Sequence, residues 1–150
     1  MTGLDQARLL ALAIPAALLG GAYISQYGFG LYPCEMCWWQ RYPHFAALGA
    51  AGAAYVVQPA RVWAALAGLA IITSGLIGGF HAGIEYGWWE GITGCSSLPS
   101  SIDVMDVSAA PLVRCDIAPW ELFGISLAGW NFLISLLGGG AILALAAYRK

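Results

Sequence analysis

Three stretches of this chain, residues 9–27, 62–80 and 127–148, are each long enough to cross a bilayer and carry no charged side chain. Crossing about 30 Å of hydrocarbon takes about 20 mostly apolar residues in a helix. Composition points the same way: of 150 residues, 60% are apolar and 9% charged, against about 45–50% and about 25% in soluble domains. So few charges cannot coat a soluble domain, and so apolar a chain does not stay disordered. A net charge of −2 provides no basic patch, which sets nucleic acid aside as a partner. The sequence predicts a single domain over residues 1–150, an all-α integral membrane protein built as a four-helix bundle.

The second span is the one that needs argument. Its purely apolar part, residues 45–57, has 13 residues, which at about 1.5 Å per residue covers only about 20 Å. Pro59 blocks extension at the far end, so the helix is expected to start near Trp38 and to draw Gln40, Arg41 and His44 into its first turns. The predicted spans are 9–27, with Pro15 as a possible kink, 38–57, 62–80 and 127–148. Four of the six cations, Arg8, Arg61, Arg149 and Lys150, then share one side. The positive-inside bias makes that side cytoplasmic, with both termini. A cleaved leader ending near Gly20-Gly21-Ala22 is the rival reading of the N-terminus, and it leaves the orientation of the rest unchanged. Ala46, Ala50 and Ala54 on the second span, and Gly75 and Gly79 on the third, suit close helix packing.

All four cysteines fall in the two outer loops, near 28–37 and 81–126. Cysteines used as small core residues would scatter into the helices; an even number on one outer side reads as thiol–disulfide chemistry in an oxidising compartment. Cys34-Glu35-Met36-Cys37 is a C-x-x-C, a spacing that favours redox use over stapling. Cys95 and Cys115 have 19 residues between them, so a bond there is either structural or a flexible one open to another protein's thiolate. Structural zinc usually shows two close pairs, and only one is present here.

Arg41 lies one helical turn after Cys37, where it shares a face with the sulfur. The N-terminus of the helix also favours an anion at Cys37. An arginine this near hydrocarbon is costly unless used, although snorkelling to lipid phosphate is the plainer explanation. Trp38, Trp39 and Tyr42 form either part of an interfacial aromatic belt with Trp88, Trp89 and Trp120 or one wall for a flat ligand such as a quinone. His81 and Glu85 make an i,i+4 pair at the outer end of the third span; His44 has the weaker case for a role.

Cys-Glu-Met-Cys-Trp-Trp-Gln-Arg at 34–41 resembles the C-x-x-C-x-x-x-R element of the DsbB family, the disulfide bond formation proteins B of bacterial inner membranes. Tyr-Pro-His at 42–44, His-Ala-Gly-Ile-Glu-Tyr-Gly-Trp-Trp at 81–89, Cys-Asp-Ile-Ala-Pro-Trp at 115–120 and Ala-Gly-Trp-Asn at 128–131 are similar to segments of its shorter members. The vitamin K epoxide reductase family, with a similar bundle and chemistry, places its C-x-x-C after the loop pair, in the opposite order.

The resemblance implies a thiol:quinone oxidoreductase with both cysteine loops in the periplasm. Cys95 and Cys115 would form the disulfide that oxidises a DsbA-like thioredoxin-fold dithiol, with Cys95 taking the attack. Electrons would pass to Cys34–Cys37, and Cys37 as thiolate would deliver them to ubiquinone or menaquinone. Arg41 would orient the quinone, and His81 and, less directly, His44 would lie beside it. Gln40 stands where some members carry an acid, and residues 96–114 match least. In the established DsbA–DsbB–quinone system the soluble partner sits near about −120 mV, so its reoxidation needs a still stronger acceptor. The competing classes are a disulfide-stapled structural or accessory membrane protein without turnover, and a metal-binding membrane protein.

Overall fold

The computed structural model describes residues 2–93 and 113–148. Among them are four helices, α1 (Gly3–Phe29), α2 (Glu35–Val56), α3 (Ala60–Glu85) and α4 (Leu127–Ala147). Two two-residue strands, β1 (Glu121–Leu122) and β2 (Ile125–Ser126), pair as an antiparallel hairpin. That hairpin is a small addition to the expected all-helical fold. Its loop, Phe123-Gly124, has positive φ at both residues, the geometry that matches the twist of a two-residue hairpin.

Helices α1, α3 and α4 are long and apolar enough to cross a membrane. Local chemistry sets their ends. Thr2 and Asp5 form a capping box at the start of α1, satisfying N–H groups that have no helical partner. Gly30 closes α1 in the left-handed conformation, and the Ser126 hydroxyl caps α4 by accepting from the Gly129 N–H at 3.1 Å.

Helix α2 begins at Glu35, earlier than the expected start near Trp38. The reason is a sulfur cap: Cys34 is the N-cap residue and its Sγ accepts the Cys37 N–H at 3.2 Å. Helix α3 likewise runs past Phe80 to Glu85, taking His81 out of the predicted loop and onto a helix face.

Close approach of α3 and α4 depends on glycine. A Cβ on Gly75 would lie 2.8 Å from the Cβ of Ser135, and one on Gly79 would lie 2.7 Å from the Phe132 ring. The alanine stripe of α2 is displaced from the expected one: Ala47, Ala51 and Ala54 are buried, and Ala46 is exposed. Polar residues explain the phase. Gln40 and His44 turn inward to hydrogen-bond partners on α3 and α4, and the i,i+3/i+4 periodicity then carries positions 47, 51 and 54 to the same side.

Two contacts place cations at one end of the bundle. The Arg61 guanidinium donates to the carbonyls of Ala146 and Tyr148 at 2.9 and 2.8 Å, and Arg8 lies over the Tyr55 ring.

Candidate functional site

At the opposite end, the first turn of α2 meets the last turn of α3. Cys34 and Cys37 are free thiols with their sulfurs 2.9 Å apart, longer than the about 2.05 Å of a disulfide. Cys34 is buried and Cys37 partly open. The S–H···S bond to Cys37, followed by burial, pushes the Cys34 thiol up, so Cys34 is the sulfur that keeps its hydrogen.

Cys115 is fully buried and disulfide-bonded, and it packs in one cluster with Cys34, Met36 and Ile84. The fold thus brings Cys115 beside the C-x-x-C, and the Cys115 side of its bond is enclosed where the sequence left open an exposed one. Cys95 and residues 96–112 lie outside the described residues.

His81 stands over the same sulfurs. Its Nε2 is 3.6 Å from Cys34 Sγ and 3.7 Å from Glu85 Oε1, so the expected i,i+4 pair exists and is buried. Its Nδ1 is 2.9 Å from the Gln40 amide nitrogen. Sequence reasoning gave no weight to Gln40, yet it is one centre of a polar core. Asn131 of α4 is the other, donating to Gln40 Oε1 at 2.9 Å. His44 Nε2 lies 2.9 Å from Asn131 Oδ1, and its Nδ1 is buried without a partner. The available signal was Asn131 and Ser135, an i,i+4 polar pair in an otherwise apolar span, because such residues face the bundle interior.

Arg41 is 5% exposed, too buried to be snorkelling to lipid phosphate. Its guanidinium lies over the rings of Tyr23 and Trp38, 4.8 Å from each centroid, and donates to Gln26 Oε1 at 2.7 Å and to the Ala22 carbonyl at 3.4 Å. Its Nε has no partner, and among the described residues no carboxylate lies within 4.0 Å of it. A buried cation without a counter-ion is costly, and an electron-rich oxygen beside it recovers part of that cost.

A cavity of about 520 Å³ opens among these groups, lined by Cys37, Gln40, Arg41, His44 and His81 together with Trp120, Trp130 and apolar residues of α1. That volume falls in the usual range for small-molecule sites, about 300–1,000 Å³. A larger apolar groove of about 790 Å³ lies along α3 and α4, with no cysteine, arginine or histidine in its wall. The reactive groups belong to the smaller one. Of the sequence-predicted site residues, the structure gathers Cys34, Cys37, Cys115 and His81 around one set of sulfurs and puts Cys37, Arg41, His44 and His81 on one cavity.

Comparison with known proteins gives the family. The family described as Disulfide bond formation protein DsbB matches residues 5–146. A Disulfide bond formation protein B of Verminephrobacter eiseniae is 31% identical, with 93% of this chain and 83% of the relative covered. One of Polaromonas sp. is 30% identical, covering 94% and 91%. An uncharacterized protein of Rickettsia prowazekii, RP370, is 23% identical over 85% of this chain and 79% of its own. No solved structure gives a significant match. The chain belongs to the DsbB family of membrane proteins of disulfide bond formation.

Proposed function

We propose that this DsbB-family chain is a quinone-dependent thiol oxidase: it reoxidises a DsbA-like dithiol protein and passes the electrons through two cysteine pairs to a membrane quinone, ubiquinone or menaquinone. The observation that carries the reading is Arg41, a buried cation on the same cavity as Cys37 that has no carboxylate within 4.0 Å among the described residues. The α2 helix is the fourth span, its polar first turns shielded by α1, α3 and α4. The chain sits in a bacterial inner membrane with both termini cytoplasmic and both cysteine loops periplasmic.

The residues on the cavity fit a quinone. A flat ring needs apolar walls, and its oxygens need donors; Trp120 and Trp130 line the cavity and Arg41 supplies N–H groups. When bound, the quinone is the acceptor of two electrons. The remaining roles belong to the protein. Cys95 takes the attack of the partner's thiolate on the Cys95–Cys115 disulfide, and the partner leaves oxidised. The Cys95 and Cys115 thiols then reduce the Cys34–Cys37 disulfide. Cys34, whose thiol is pushed up by the contact with Cys37 and by burial, holds the hydrogen, leaving Cys37 as the sulfur that faces the cavity. The bond from Cys34 favours negative charge on Cys37 first, Arg41 adds to it against the opposing Glu85, and the enclosed position of Cys34 and Cys115 keeps stray thiols out.

The test is quinone absorbance over time, with purified protein in detergent, a quinone and a reduced thioredoxin-fold dithiol protein. Quinone reduction by wild type, abolished in Cys37→Ala and slowed in Arg41→Ala, is the expected result. Absence of turnover with every quinone and dithiol pair tried would leave the stapled, non-enzymatic reading in its place.

A further inference from the structure

The polar core between the helices has a direction. We propose that Gln40 is a positioning residue: held by Met36 and Asn131, its carboxamide fixes His81 in the Nε2–H tautomer. That N–H then faces the Cys34–Cys37 sulfurs, and the Cys-Cys-His cluster serves as a donor site for thiolate sulfur and not as a metal site. The inference rests on the reading of Cys34–Cys37 as the redox pair.

Amide oxygen and nitrogen are assigned from their partners, and two partners here can only accept. The Met36 carbonyl lies 3.2 Å from the Gln40 amide nitrogen, so that atom is an NH₂ group. The Ser74 carbonyl lies 3.2 Å from the Asn131 amide nitrogen, which settles the second amide. The two agree with each other, because Asn131 NH₂ then meets Gln40 Oε1 at 2.9 Å. The second N–H of Gln40 points at His81 Nδ1, 2.9 Å away. Nδ1 therefore accepts, and a neutral ring carries its hydrogen on Nε2. An imidazolium would set two N–H groups against each other across that distance.

Nε2–H faces Cys34 Sγ at 3.6 Å and Glu85 Oε1 at 3.7 Å. The bonds follow one sense, Asn131 to Gln40 to His81 to Cys34, and Cys34 Sγ lies 2.9 Å from Cys37 Sγ. Aligned donors polarise one another. The chain ends beside the sulfur that lines the cavity.

The same cluster has the ligand atoms of a soft-metal site: Cys34 Sγ, Cys37 Sγ and a His81 ring nitrogen lie within 4.8 Å of one another. A metal-bound histidine donates its other ring N–H to an acceptor. Here a metal on Nε2 would force the ring hydrogen onto Nδ1, against the Gln40 N–H. Gln40 can turn only by breaking its bonds to Met36 and Asn131. Glutamate at position 40 would present an acceptor instead.

The chain has two histidines, so ¹⁵N-histidine labelling of the whole reduced protein, without quinone or partner, reads the ring directly; His44→Gln assigns the signals. Wild-type His81 is expected to show a protonated Nε2 and a hydrogen-bonded, unprotonated Nδ1. Gln40→Glu should put a hydrogen on Nδ1. Gln40→Met, a variant without new charge, should take the donor from Nδ1, so that the Nδ1 signal moves and the ring is no longer held to one tautomer. With Cd²⁺ as probe, the thiolate–metal absorption band should show Gln40→Glu binding about tenfold or more tighter than wild type, the gain vanishing with His81→Ala. A wild-type ring protonated on Nδ1, or Gln40 variants that leave the His81 signals unmoved, would overturn the inference. So would Cd²⁺ binding as tight in wild type as in Gln40→Glu. Failure of quinone turnover bears on the redox reading alone, because the ring is read without turnover.

Discussion

His44 Nε2 and Asn131 Oδ1 lie 2.9 Å apart in the interior of the bundle, joining α2 to α4 through two side chains that are both buried. Asn131 also donates to Gln40 and to Ser74, and accepts from Ser135. One carboxamide thus serves partners on three helices. Where water is absent, a donor or acceptor without a partner is left uncompensated.

Asn131→Leu is expected to destabilise the protein by about 1–3 kcal/mol, the usual cost of stranding buried polar groups. His44→Leu should cost a similar amount. The double variant removes both ends of the bond and should cost less than the sum, by about 0.5–2 kcal/mol. Unfolding of the four proteins in mixed detergent measures the cycle; additive costs would show that the two side chains do not act as a pair.

Gly79→Val should destabilise the bundle by about 1–3 kcal/mol, because the new side chain enters the Phe132 ring and forces α3 from α4. Gly49→Ala is the control. Nothing lies within 4 Å of a Cβ there, and alanine gains up to about 1 kcal/mol over glycine within a helix. Opposite signs in thermal unfolding are expected, and a destabilised Gly49→Ala would show that α2 packs differently.

Arg41→Lys should not behave as a conservative change. A lysine lacks the planar group that lies over Tyr23 and Trp38 while bonding Gln26. Loss of about 1.4 kcal/mol of such contacts is a factor of about ten. The KM for quinone should rise about tenfold in steady-state assays with the partner dithiol in excess. An unchanged KM would remove Arg41 from quinone binding.

Asp116 supplies the pH dependence available outside the helices. The hydrogen bonds from Arg114 hold its carboxyl below the ordinary value of 3.8. A carboxyl lowered by folding stabilises the folded state above its unfolded pKa and loses that contribution as pH falls through the folded one. Asp116→Asn should therefore be slightly less stable than wild type at neutral pH, with the difference closing below about pH 4. Thermal unfolding across pH 3–7 tests the sign, and a gap that widened in acid would refute it.

The uncharged runs made three helices legible, because bilayer thickness leaves few other ways to use such stretches. Cys37, Arg41 and His81 were legible as a group because helical spacing and loop position confine them to one end. The polar core was not. Gln40 and Asn131 are 91 positions apart, and only packing of α2 against α3 and α4 brings them together. The phase of α2 was lost with it, since the inward turn of Gln40 and His44 decides which alanines are buried. The enclosure of Cys115 beside Cys34 arises in the same way, from contacts between a loop and a helix end.

The two C-x-x-C sulfurs should differ sharply in reactivity once reduced. Cys34 is enclosed and keeps its hydrogen through the bond to Cys37, whereas Cys37 is partly open and lies at the cavity wall. The thiolate is the form that reacts with alkylating agents, so brief iodoacetamide treatment at neutral pH should mark Cys37 at least about tenfold faster than Cys34. Because folding pushes the Cys34 thiol up, raising the pH to 9 should speed labelling of Cys34 much less than labelling of an ordinary exposed cysteine, which titrates near about 8.5. Peptide mass mapping after timed quenching separates the two sites. Equal labelling, or Cys34 first, would reverse the assignment of Cys37 as the cavity-facing sulfur and with it the proposed direction of electron flow through the pair.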